Sequence, residues 1–409
     1  MARDARRGPS FDLTDEIMAS FTVGKEFHPP PQSGREPAPR PASTMTSMDF
    51  HAKNSLMVTV CDDELARVAI RVYNLAEGKH ERTCFNSKHG VSCARFTHHP
   101  RSIVYASSKE WNNESWHREV DNNTIWHHSL TDNAMVRMFK KGHTDSVLDI
   151  EVSKVDDLFF SCSKDKTVKL WDLRLQKAQH NLDIKSLGLD NCREPRMVLD
   201  RNLHQGGQAR LVWVGGEGGH IVCFDPRTLK AIENHEIEPQ PIAINNSMIM
   251  PHQHYRAALQ AAIPYDESPI KCLKVGNDGN LLAFSLQSYQ GAVIYVYDTD
   301  PLHYEKDLTR PKHAFATREK GGEFDFSPDD KYLLSAGPRG SVFVWNLENG
   351  KKVAELPSAR RNISCLKWLP THQLFATGGQ TDDDEGVAGA SLWVPTFLPN
   401  LQEDLRNGY

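Results

Sequence analysis

The chain has 409 residues, with 48 basic against 53 acidic side chains and a formal charge of −5. Its 39% hydrophobic and 25% charged residues suit a globular protein with a sizeable core, and the charge balance provides no bulk attraction to nucleic acid or membrane. Eight cysteines at 61, 84, 93, 162, 192, 223, 272 and 365 form no C-x-x-C pair, which excludes a zinc frame and reads as buried, reduced thiols.

In chain order, residues 1–12 form a disordered arm whose Arg3, Asp4, Arg6 and Arg7 precede any apolar stretch, unlike a secretory signal. No apolar run approaches the roughly 18 residues of a membrane span, so a cytoplasmic or nuclear protein is expected. Ile17 to Phe27 alternates Phe21, Val23 and Phe27 and reads as a strand, within a unit at 13–28. Residues 29–43 follow as a linker, with prolines at 29, 30, 31, 37, 39 and 41; it is extended or disordered and lacks P-x-x-P spacing.

From there a repeat governs the chain. The stretch GHTDSVLDIEVSKVDDLFFSCSKDKTVKLWDL at 142–173 is one blade of a WD-repeat propeller: Gly-His, a strand, a turn, a second strand, a tight turn and a third strand ending Trp171-Asp172. GEFDFSPDDKYLLSAGPRGSVFVWNL at 322–347 repeats the plan with Trp345-Asn346. A period of about 40–45 residues reveals weaker copies. One runs from Met45 through Val58-Val60 to Ile70-Tyr73; another runs from Val91 through Ile103-Tyr105 to Thr124-Leu130. A degenerate copy ends near Ile221 to Asp225, one spans Ile270 to Asp298 and the last spans Ile363 to Trp393. The fold expected is all-β, a seven-bladed propeller over 13–397 with a tail at 398–409. Insertions fall near 109–119, 185–210 and 236–268, the last with a short helix near Tyr255 to Ala262.

An open sheet edge exposes unpaired backbone groups, so the ring must close. Little strand-forming sequence follows Trp393, and the segment Ile17 to Phe27 is therefore expected to become the outer strand of blade seven.

The sharpest constellation is His143, Ser161, Asp165 and Trp171, which converge in a WD blade as a chain from carboxylate to imidazole to hydroxyl to indole. Ser, His and Asp also suggest a hydrolase triad, but no G-x-S-x-G elbow is present, and the trio is occupied by a buried indole. Arg339 stands where blade six would place its Asp and His127 where blade two would place its Trp, so those blades are expected to rely on apolar packing alone. His98-His99, His127-His128 and His252 with His254 have no matching carboxylate or Cys frame and read as surface histidines. Gly-rich 214–219 lacks the Lys-Ser/Thr of a phosphate loop and reads as a turn of blade four. No catalytic group, metal site or cofactor is expected, nor any polar, perturbed cluster in the central channel.

What remains is surface. Turns between second and third strands share one face with the links between blades. That face receives Lys140, Lys141, Lys164 and Lys166 near blade three, Arg318, Lys320 and Arg339 near blade six, and Arg360 and Arg361 before blade seven. The same face also receives Asp62 to Glu64 and Asp382 to Glu385, which split it into basic and acidic sectors. The basic sector suits a phosphorylated or acidic peptide, and Trp111 and Trp116 in the 109–118 loop are candidate interface anchors. Scattered solvated loops are the competing reading.

The chain resembles the WD repeat-containing protein 82 family. The resemblance rests on Leu13-Thr14-Asp15 with Ser20-Phe21, Glu77-Gly78-Lys79, Arg82-Thr83, Thr124-Ile125 with Ser129-Leu130 and Asp132-Asn133, Val155-Asp156-Asp157, Asp165-Lys166-Thr167, Leu170 to Arg174 and Trp393 to Thr396. It is close over 13–175 and 320–397 and looser between. The resemblance implies a nuclear scaffold, first in a complex of protein phosphatase one and its nuclear targeting subunit that promotes transcription termination. Second comes a Set-domain histone methyltransferase complex. It also implies contact with the phosphorylated tail of RNA polymerase II, without sequence-specific nucleic-acid binding. A ubiquitin-ligase substrate receptor is the rival use of the same fold.

Overall fold

The computed structural model describes residues 13–28, 43–51, 53, 55–63, 69–85, 91–107, 123–139, 142–187, 189, 192–201, 209–225, 230–231, 268–288, 291–299, 311–317, 322–370, 372–380 and 388–396. The 29–42 linker, Trp111, Trp116, Lys140, Lys141, Arg318, Lys320, Glu64, the 382–385 acids and the helix near Tyr255 lie outside the described residues.

The described strands form seven antiparallel four-stranded sheets. Six are built from consecutive strands, here lettered a to d outward from the central channel. Blade three is typical, with strands Val147–Val152, Leu158–Ser163, Thr167–Asp172 and His180–Asp183. The a strands of the other blades are Ser43–Phe50, Cys93–Phe96, Arg196–Arg201, Ile270–Val275, Phe324–Phe326 and Cys365–Trp368. The a strand of blade four thus falls inside 185–210, which read as an insertion from sequence. Gly215 to Gly219 is the b–c turn of blade four.

Blade seven is completed from the other end of the chain. Phe21–Phe27 pairs antiparallel with Ala388–Pro395, from Phe21 opposite Pro395 to Phe27 opposite Ala390. A short helix, Asp15–Ala19, precedes this strand and is capped by Thr14, whose hydroxyl accepts from the Ile17 N–H at 3.3 Å. Asp15 Oδ1 accepts from Tyr332 Oη at 2.7 Å and Asn346 Nδ2 at 3.1 Å, tying the helix to blade six. Phe27 packs on Tyr73 of blade one with tilted rings, centroids 5.0 Å apart. One amino-terminal segment therefore touches blades six, seven and one.

The core lies between blades. Each buried apolar cluster joins two successive blades, as where Val104, Ile125 and Phe139 of blade two meet Ile150, Phe159 and Trp171 of blade three. The cluster between blades six and seven includes Leu13, Met18 and Phe21 from the amino terminus. All eight cysteines are buried and unpaired. Burial pushes the Cys84 and Cys93 thiols up to about 11 and Cys192 to about 12, which leaves them poor nucleophiles at neutral pH. No helix among the described residues is long and apolar enough to cross a membrane.

Candidate functional site

In blade three the turn residues and strands converge on Trp171. Its indole N–H donates to Ser161 Oγ at 2.8 Å, Ser161 lies 2.7 Å from His143 Nε2, and His143 Nδ1 lies 2.9 Å from Asp165 Oδ2. Since Ser161 accepts from the indole, its own proton goes to Nε2 and the imidazole donates from Nδ1 to Asp165. Asp165 also accepts from the backbone of Thr144 at 2.9 Å and from the backbone and hydroxyl of Thr167 at 3.0 and 2.6 Å. Burial works against its charge, yet these donors prevail and hold the carboxyl at about 2. Burial lowers the His143 pKa, so the ring is neutral at pH 7. Every member of the trio is occupied, and Ser161 is fully buried beneath the indole.

Two other blades keep half of this arrangement. Trp345 donates to Ser335 Oγ at 2.9 Å and Trp393 to Thr377 Oγ1 at 2.9 Å. Blade six therefore does not rely on apolar packing alone, although Arg339 does occupy the turn position of Asp165. Blade two corrects the register read from sequence. Leu130 and Leu173 donate to Arg101 and Asp157 in the same way, and Ile103 opposes His128 as Phe159 opposes Trp171. His128, not His127, fills the Trp position. His127 is buried rather than on the surface; it takes a 2.5 Å bond from Ser102 Oγ, and burial lowers its pKa to about 4.

The proposed basic sector is less continuous than the sequence suggests. Lys164 pairs with Glu194 at 3.2 Å. Lys166 is half-buried in the same turn, its carbonyl accepting from Ile184. Arg360 is not a surface residue: it is 2% exposed and donates to Ser391 Oγ at 2.7 Å and Gly379 O at 3.0 Å inside blade seven. Arg339 and Arg361 are exposed, and the backbone segments that carry them meet. Gly340, at φ +70°, lies so close to the Arg360 carbonyl that an added Cβ would sit 2.1 Å from it. The turn carrying Arg339 thus packs on the link carrying Arg361. Lys164 and Lys166 lie three blades away around the ring.

Sequence reading missed the central channel, which is lined by charge. One inward position on the a strands holds Asp49, Arg95, Glu151, Val198, Lys274, Asp325 and Lys367, opposite Val58, Val104, Phe160, Trp213, Ala283, Leu334 and Ala376. Two residues earlier stand Ser47, Cys93, Asp149, Arg196, Cys272, Glu323 and Cys365. Most of these line a cavity of about 320 Å³ that opens toward the b–c turns. Acid and base alternate and pair across blades. Arg95 donates to Asp149 at 3.0 Å and Ser47 at 2.8 Å, Lys367 lies 2.5 Å from Asp49, and Lys274 lies 4.0 Å from Asp325. Asp49 and Asp325 also accept from the backbone N–H of Phe96 and Trp368 in the following blades, both at 2.8 Å. Burial pushes the Glu323 carboxyl up to about 7. The period-two pattern seen in Cys93-Ala-Arg95, Cys272-Leu-Lys274 and Cys365-Leu-Lys367 could have revealed this lining.

The model of the WD domain, G-beta repeat, matches residues 135–172 and 323–346. WD repeat-containing protein 82 of Drosophila melanogaster is 26% identical over 404 residues, 95% of this chain and 99% of its own length. The chain is thus similar to WD repeat-containing protein 82 along nearly its whole length. The COMPASS component SWD2 of Saccharomyces cerevisiae is 27% identical over 85% of the chain and 92% of its own length. The Set1 complex component swd2 of Schizosaccharomyces pombe is 33% identical over 35% of each. The repeat match falls on the segments that carry Trp171 and Trp345, where indole, hydroxyl and tight turn are all present.

Proposed function

We propose that the chain is a non-catalytic scaffold subunit of a nuclear complex acting on transcription, and specifically of a Set-domain histone methyltransferase assembly. The observation that carries this is near full-length similarity to WD repeat-containing protein 82 and to a protein named as a COMPASS component. A ring whose blade-three hydroxyl, imidazole and carboxylate are occupied in structure offers surfaces for partners. Exposed Arg339 and Arg361, carried on a turn and a link that pack together, are the part of the basic sector offered to a phosphorylated or acidic peptide.

Affinity purification of the full chain from nuclei with mass spectrometry tests the assignment. Methyltransferase subunits in stoichiometric amounts support it. Protein phosphatase one with its nuclear targeting subunit would instead favour the termination complex that the family resemblance implies. Ubiquitin-ligase subunits would overturn both.

A further inference from the structure

Two adjacent a–b turns meet at the junction of blades two and three. Thr97 to Arg101 carries His98 and His99; Ser153 to Asp157 comes from the next blade. His99 Nε2 lies 3.3 Å and His98 Nε2 3.7 Å from the same oxygen, Asp157 Oδ1. The two imidazoles lie against each other with ring centroids 4.0 Å apart, so both nitrogens converge on one point. Neither nitrogen of His98 forms a hydrogen bond among the described residues: Nδ1 is enclosed without a partner and Nε2 is too far from Asp157. The missing carboxylate for the His98-His99 pair, sought in vain along the sequence, is 58 positions away in the chain.

We infer that His98, His99 and Asp157 form a site for one divalent transition-metal ion of the zinc class, clipping blade two to blade three. Bonds of about 2.0–2.1 Å from a tetrahedral zinc place its ligand atoms roughly 3.4 Å apart, matching the 3.3 and 3.7 Å observed here. Two imidazoles and a carboxylate suit zinc, and a fourth position is left for water. The other carboxylate oxygen, Asp157 Oδ2, is 3.4 Å from Arg174 Nε, which orients the carboxylate without occupying the converging oxygen. Arg174 is itself anchored on Asp172 through bonds of 2.9 and 2.6 Å. This cation opposes a second positive charge and sets a limit on affinity.

Zinc and cobalt(II) titrations of the chelator-stripped full chain, by calorimetry and by visible absorption, test the site. Wild type should bind one equivalent with saturable affinity. His99→Ala, whose side chain is 53% exposed and can be removed without disturbing the core, should weaken that site by about 10–100-fold. Asp157→Asn should do the same, and Arg174→Gln should tighten it. Zinc should raise the melting temperature of wild type and not of His99→Ala. An absence of saturable binding to wild type would overturn the inference. So would binding that persists undiminished in both His99→Ala and Asp157→Asn, because the ion would then sit on other histidines.

Discussion

A hydroxyl beneath an indole recurs at Ser161, Ser335 and Thr377, and among the described residues only blade three adds the imidazole and carboxylate. Removing Asp165 leaves the buried Nδ1 proton of His143 and the Thr144 and Thr167 donors without their acceptor. Asp165→Ala should therefore cost about 1–3 kcal/mol of unfolding free energy in denaturant titration. Trp171→Ala, which empties the space that Phe139 and Phe159 line, should cost about 3–5 kcal/mol. The buried histidines also make stability depend on pH. His127 holds its proton only below about 4 in the folded chain, whereas an unfolded histidine titrates near 6.5. The unfolded state binds the proton more tightly, so stability is complete above about 6.5 and is lost as pH falls toward 4; the lowered His143 acts in the same direction. Melting temperature measured from pH 7.5 to 5 should fall, and His127→Gln should flatten the profile.

The decisive element is the amino-terminal strand. An unclosed propeller would expose the outer backbone edge of Ala388–Pro395 and the apolar faces that Phe21 and Phe27 cover. Deletion of residues 1–27 should abolish cooperative unfolding, seen as a broad, probe-dependent melt by circular dichroism and tryptophan fluorescence. A truncated chain that melts as sharply as the full one would refute the role of this strand as the fastener. Asp15→Ala should give a smaller loss of about 1 kcal/mol, since it removes only the acceptor for Tyr332 and Asn346.

At the scale of the whole molecule the charged channel and the outer face play different parts. Channel charges pair with one another and join neighbouring a strands. On the face, Lys164 is neutralised by Glu194 while Arg339 and Arg361 stand exposed. Charge reversal at Arg339 and Arg361 should weaken binding of a phosphorylated polymerase-tail peptide at least tenfold, with a steep salt dependence; reversal at Lys164 should do far less. Equal affinities for all variants would remove the peptide site from this face.

Blade count and ring closure were legible because alternation, tight turns and terminal Trp-Asp pairs are local properties with a fixed period, and because an unpaired edge after Trp393 demands a partner strand. The hydroxyl–indole pairs were legible in blade three for the same reason. What only the tertiary structure decided depends on which blades meet. His128 rather than His127 takes the Trp position through strand register, and Arg360 is drawn inside by Ser391 and Gly379. Asp157 meets His98 and His99 through the packing of neighbouring turns. Sequence spacing describes one blade at a time, whereas these contacts arise between blades, where separation along the chain says nothing about distance.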